Sequence, residues 1–261
     1  MVNMRLDKFL AQSSVGKRKE VRIYIKEGKV KVNGEVTLIP AIEIDEKTDI
    51  IEYLDEVVIY TDKVYYMFNK PAGCITARSD VKSKTVFDYF DNDMSGVFHV
   101  GRLDKDTEGL LLFTNDGEFE HKLMHPKKHV EKTYFFWALG SLNDEDIKSL
   151  EEGVYINKGE ILTKPAKIKV VNSGLYKDFK DELDNLCNAD EGKYNQPVVA
   201  CYLTISEGRK HQVKRMLKAV GCYVMYLKRV AISDVVLDET LEKGKYRHLT
   251  EEEIEKLLEE S

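Results

Sequence analysis

The chain has 261 residues, 43% hydrophobic and 33% charged, which suits a globular protein with a real core. No apolar run approaches the roughly eighteen residues of a transmembrane helix, and the opening MVNMRLDK lacks an apolar signal region, so neither a membrane span nor export is expected. The formal net charge of -6 argues mildly against a nucleic-acid partner, but the distribution of charge decides that question, and here it is uneven.

Basic residues crowd the first thirty-odd positions and return in HPKKHVEKTY and GRKHQVKRMLK, while acid collects at 43–62, at 178–191 and in LTEEEIEKLLEES. Leu6, Phe9 and Leu10 recur at helical spacing until SSVG interrupts them. A second, basic helix with Val21, Ile23 and Ile25 runs to Gly28, and KVKV-NG-EV reads as a strand, an Asn-Gly turn and a strand. These parts predict a compact module over residues 1–60, with a joint at Thr61 to Lys63. Strands are predicted in VYYMFNKP, GVFHVGRL, GLLLFTND, KTYFFWALG, AKIKVV and VVACYLTIS, and helices in SKTVFDYF, EFEHKLMH, DEDIKSLEEG and RKHQVKRMLKAVG. Several strand pairs are too close for crossover helices, so residues 64–250 are expected to form an α+β domain with a mixed, largely antiparallel sheet. The polar stretch 172–196 is expected to be a surface insertion.

Four cysteines, Cys74, Cys187, Cys201 and Cys222, are scattered without a Cys-x-x-Cys pair, which points to free thiols in a reducing cytoplasm. Arg5, Lys8, Lys17, Arg18, Lys19 and Arg22 form a cluster that suits phosphate as well as it suits a solvated face. In HVGRLDKDTEGLLLFTNDG the alternating Asp104, Asp106 and Glu108 invite a calcium-loop reading, but the twelfth position is Asn115 and the flanks read as strands. Two readings stay open on spacing alone: a carboxylate pair for glycoside hydrolysis, or one nucleophilic or electrostatic carboxylate kept ionised by Arg102. His121 and His125 share a helical spacing, but nothing completes a metal site and Pro126 cuts the helix short, so no metal is expected. Tyr134, on an apolar strand, reads by itself as a core aromatic.

GRLDKDTEGLLLFTNDG closely resembles the signature of bacterial pseudouridine synthases of the small-ribosomal-subunit type, and RLDKFLA, the basic helix and GKVKVNGE resemble the ribosomal-protein S-four RNA-binding module. The likeness continues through YYMFNKPAG, HPKKHVEKTY, LTKPAKIKV, SEGRKHQVKRM and YRHLTEEE, nearly the whole chain outside 172–196. Lys17 departs from the module's pattern, which often has a helix-capping serine there; Ser14 or Gly16 is the expected substitute. The resemblance implies Asp104 as the catalytic carboxylate, Tyr134 as the aromatic that stacks on the target base, and Lys214 as the cation that pairs with the aspartate. It also implies substrate contacts from Arg102 and Leu227, and RNA contacts from Arg209, His211 and Gln212. The reaction it implies is isomerisation of a uridine flipped out of folded RNA, with no cofactor. The expected partner is small-subunit rRNA on an assembly intermediate, bound by a monomer. Large-subunit rRNA is the alternative substrate, and a non-catalytic rRNA-binding protein the alternative function.

Overall fold

The computed structural model describes residues 4–13, 15–59, 63–91, 94–156, 159–187 and 190–259. Ser14, Thr61 and Asp62, which enter the expected cap and joint, lie outside them. The chain forms two compact units: residues 1–65 with 91–98 and 114–117, and the remainder.

In the first unit β1 (Met4–Arg5) leads into α1 (Leu6–Gln12), followed by α2 (Arg18–Lys26), β2 (Val30–Val32), β3 (Glu35–Val36), β4 (Glu43–Ile44), β5 (Ile51–Tyr53) and β6 (Glu56–Val57). β1 pairs with β4, and the other four strands form a sheet in the order β3-β2-β5-β6. The apolar spacing of the helices is explained by what they bury: Leu6, Phe9, Leu10, Val21 and Ile25 close on Val30, Ile44 and Ile51. Ile23, on the other side of α2, is exposed. α2 begins after Lys17, which stands at the N-cap in place of Gly16, and its backbone N–H donates to the Glu20 carboxylate at 2.8 Å. Asn33 and Gly34 both take positive φ, 53° and 83°, the twist that a two-residue hairpin requires.

The second unit is built on β7 (Tyr65–Lys70), β8 (Phe98–Val100), β9 (Glu108–Thr114), α3 (Gly117–Met124), β10 (Lys132–Leu139), α4 (Asp144–Glu152), and the hairpin β11 (Tyr155–Ile156) and β12 (Ile161–Leu162). β13 (Lys167–Leu175), α5 (Lys180–Leu186), β14 (Pro197–Ile205), α6 (Gln212–Ala219), β15 (Tyr223–Ile232), β16 (Val235–Val236), β17 (Tyr246–His248) and α7 (Glu251–Glu259) complete it. The main sheet runs β13-β14-β10-β15-β9-β7-β17, with β16 on β15 and β8 on β9. β10 is antiparallel to both β14 and β15, while β15 is parallel to β9, so the α+β class and mixed sheet hold.

One expectation is corrected. SKTVFDYF forms only a 3-10 turn over Val86–Tyr89, held by Phe87 and Phe90 packing edge-on against Phe113 at 5.2 and 4.8 Å. The described residues of 172–196 are mostly exposed. Within them Tyr176 and Leu183 are buried with Trp137, whose Nε1 donates to Glu182 at 2.9 Å, and Phe179, Leu186 and Tyr194 pack against that cluster.

Candidate active site

β8 and β9 are joined by a tight turn in which the Thr107 N–H donates to the Asp104 carbonyl at 3.1 Å. This turn presents two carboxylates, two residues apart, to the start of α6. His211 Nε2 stands 3.4 Å from Asp104 Oδ1, and Lys214 Nζ stands 3.8 Å from Asp104 Oδ2 and 2.5 Å from Asp106 Oδ1. His211 and Lys214 are three apart, so both reach the same side of the helix. Asp104 is the more sheltered acid, its side chain 29% exposed against 73% for Asp106. Burial acts to raise the Asp106 carboxyl, and the Lys214 hydrogen bond and charge overcome it, so the group lies below its ordinary range.

Each side of the site is fixed from behind. Lys70, at the end of β7, is fully buried, and its ammonium donates to the carbonyls of Pro71 (3.0 Å), Lys105 (3.4 Å) and Thr107 (2.9 Å). Two of those carbonyls belong to the Asp104 turn, so one buried cation braces it. Burial pulls the Lys70 ammonium below its usual range, with the nearby Cys74, Asp106 and Glu108 opposing. On the other side Gln212 is buried, accepts from the Arg209 N–H at 2.9 Å and donates to Glu207 at 2.6 Å. That clasp holds His211 at a left-handed φ of 54°, a conformation costing on the order of 1 kcal/mol for a non-glycine residue, which surrounding contacts must offset.

The sheet relates the turn to the aromatic strand. Tyr134 on β10 lies opposite Arg229 on β15, and Arg229 is in register with Gly109 at the head of β9. Tyr134 is thus two strands, about 10 Å, from the strand that the Asp104 turn enters. Gly109 has φ +98°, and a Cβ there would run into the Arg229 carbonyl, so glycine is required for this parallel approach. Because directly opposed residues share a face, Tyr134, Phe136, Leu227 and Arg229 stand on one side of the sheet. Arg229 is buried and donates from Nε to the Leu110 carbonyl at 2.8 Å. Burial, with Arg229 nearby, pulls the Lys132 ammonium down to about 8.

Residues 64–219 match the family model described as RNA pseudouridylate synthase, and residues 4–50 match the S4 domain. This chain belongs to the RNA pseudouridylate synthase family. It is 38% identical to a ribosomal small subunit pseudouridine synthase A of Haemophilus influenzae, over 98% of this chain and all of the relative. It is 39% identical to a ribosomal large subunit pseudouridine synthase B of Bacillus subtilis, over 97% and 95% of the two chains. A crystal structure of a pseudouridylate synthase superposes with a TM-score of 0.63 at 37% identity, covering 98% of this chain and 100% of that one. The protein is a pseudouridine synthase, an isomerase.

The pseudouridine synthase fold gathers only some of the expected residues. Asp104, Lys214 and His211 meet, which places His211 beside the carboxylate. Arg102 is exposed and, among the described residues, forms no ion pair; the groups beside Asp104 are His211 and Lys214. Lys214 does lie beside Asp104, but its shorter contact is to Asp106. Gln212 is buried in the 207–212 clasp, where its side chain is bonded to Glu207. Arg209 is exposed and paired with Glu207 at 3.1 Å. Leu227 is buried. Sequence reasoning missed Lys70 altogether; its signal was a lysine closing the apolar run YYMFN immediately before Pro71.

In the S4 module Asp7 is fully buried and receives three arginines: Arg5 at 2.9 Å, Arg22 at 3.3 Å and Arg18 at 3.4 Å. Burial raises the Asp7 carboxyl, but the arginine hydrogen bonds and charges more than reverse this and hold it below the usual range. The guanidiniums stay about half exposed, and three cations on one anion leave the cluster net positive. Lys17 and Lys19 are exposed and Lys8 is half-buried. Among the described residues no helix is long and apolar enough to cross a membrane.

Proposed function

We propose that this pseudouridine synthase modifies a uridine of small-subunit rRNA, acting as a cytoplasmic monomer on an assembly intermediate, with Asp104 as its catalytic carboxylate. The observation that carries the catalytic assignment is the meeting of Asp104 with His211 and Lys214, more than a hundred residues away in sequence, on a turn braced by a buried lysine. The substrate assignment is supported by the relatives named for the small subunit, which include those of Haemophilus influenzae, Yersinia pestis and Escherichia coli. Large-subunit rRNA is the second reading, favoured by the Bacillus subtilis relative named for that subunit.

The isomerisation breaks the bond from ribose to uracil N1, turns the base and rejoins it through C5, whose proton is released while N1 takes one up. Bonds broken and formed are of similar strength, so the enzyme supplies access, charge and containment. Access requires flipping the uridine from its stack at a cost of a few kcal/mol, offset by backbone contacts. Charge comes from the Asp104 anion at the ribose, with Lys214 and His211 beside it. Containment falls to the sheet face of Tyr134 and Leu227, where an aromatic ring offers the detached uracil a stacking surface.

The test is tritium release from C5-labelled uridine in small-subunit RNA, large-subunit RNA and partly assembled particles of each. Release from small-subunit material alone is expected. Release confined to large-subunit RNA would transfer the assignment to that reading.

In the same scheme residues 1–60 supply affinity and residues 64–250 the chemistry. Arg18 and Arg22, fanned about Asp7, would face phosphate. The double change Arg18→Ala, Arg22→Ala is expected to raise KM for RNA about tenfold, leave kcat unchanged and flatten the salt dependence of binding by about one to two counterions. Equal losses in kcat and KM, in a protein of unchanged Tm, would contradict it.

A further inference from the structure

Lys214 is shared unequally between two carboxylates, and the inequality has chemical consequences. Its ammonium is 2.5 Å from Asp106 Oδ1, a short charge-assisted hydrogen bond, and 3.8 Å from Asp104 Oδ2, beyond hydrogen-bond reach. Asp106 approaches from the solvent side, where its largely exposed side chain gives up little hydration to hold the lysine. A cation bonded directly to the Asp104 oxygen would engage a lone pair that the chemistry needs. At 3.8 Å the same cation leaves that lone pair free. The other charged groups about the turn are His211 on the far oxygen of Asp104, Lys70 behind the turn, Arg102 and Lys105, which are exposed, and Glu108, which is paired with Lys243 at 2.7 Å. Among these, Asp106 is the group placed to draw Lys214 away.

We infer that Asp106 is a positioning residue for the isomerisation, keeping the Lys214 ammonium off Asp104 so that the Asp104 Oδ2 oxygen remains uncapped. This rests on the reading of Asp104 as the catalytic carboxylate. Removing the Asp106 charge frees Lys214 to close on Asp104, which would make the anion easier to form and less reactive.

The experiment measures kcat, KM and the pH profile of kcat for full-length Asp106→Asn, Asp106→Glu and Asp104→Asn proteins on the RNA that the wild type modifies. For Asp106→Asn, kcat is expected to fall about tenfold with KM unchanged, and the acid limb to move down by about one pH unit. Asp106→Glu, which restores the charge, is expected to recover most of the rate and the wild-type limb. A purely structural role would lower kcat without moving the limb, and that outcome overturns the inference. So does an Asp106→Asn enzyme with wild-type kcat and profile, provided Asp104→Asn is inactive. If Asp104→Asn itself retains activity, the catalytic assignment beneath both readings falls instead.

Discussion

Asp104→Asn is expected to bind RNA with wild-type affinity, to within about twofold, and to lose at least roughly ten thousand-fold in tritium release. The substitution keeps the size of the side chain and removes only its charge. Asp104 is partly exposed on a turn closed by its backbone carbonyl, which the Asn side chain leaves intact. Folding should therefore survive, and the Tm of the variant should lie close to that of the wild type. Affinity should survive as well, because phosphate contacts, and not one carboxylate, dominate RNA binding. The two readouts, filter binding and tritium release, separate chemistry from recognition. A variant that keeps more than about one per cent of the wild-type rate would remove Asp104 from the catalytic role.

Lys70→Met is the second change with a large expected effect, and it acts from behind the site. Methionine fills nearly the same volume but donates nothing, so three carbonyls lose their buried partner. A buried acceptor left unsatisfied costs about 1–3 kcal/mol. Relief of the buried cation's desolvation, visible in the lowered Lys70 ammonium, offsets part of that. A net loss of about 3 kcal/mol is expected, a fall in Tm of roughly 6–12 °C for a domain of this size. The larger effect is on rate. A turn free to shift by about 1 Å misplaces Asp104, and kcat should fall about a hundred-fold even at temperatures where the variant is fully folded. Lys70→Arg, too large for the buried slot, should not rescue it. A Lys70→Met enzyme with normal kcat and lowered Tm would show that the brace serves stability alone.

Much of this protein could be read from its one-dimensional pattern. The module's two helices, its Asn-Gly hairpin and the Gly28 terminus follow from helical spacing and from residues that tolerate positive φ, all of them properties of a few neighbouring positions. The strands of the catalytic unit were legible wherever apolar and β-branched residues ran together, as in KTYFFWALG and VVACYLTIS. β15 was not anticipated, because Lys228 and Arg229 interrupt the apolar run; Arg229 is accommodated by donating to the Leu110 carbonyl, a partner more than a hundred residues away. Similarly, LTEEEIEKLLEES was read for its acidity, although Leu257 is buried and Glu253 receives both guanidinium nitrogens of Arg247 at 2.8 Å.

The sequence by itself determined the fold class and the family, since these depend on local spacing and on motifs such as GRLDKDTEGLLLFTNDG. Which charged side chains meet was decided only in three dimensions. Asp104 is close to Arg102 in the chain, yet its neighbours in space are His211 and Lys214, because the 207–212 clasp and the 104–107 turn are brought together by the fold. Asp7 becomes the hub of three arginines, Lys70 the brace of a turn, and Asp106 the rival for Lys214 for the same reason. Pairing energies fall off over a few ångströms, so a partner is chosen by tertiary distance and burial and cannot be found by counting residues.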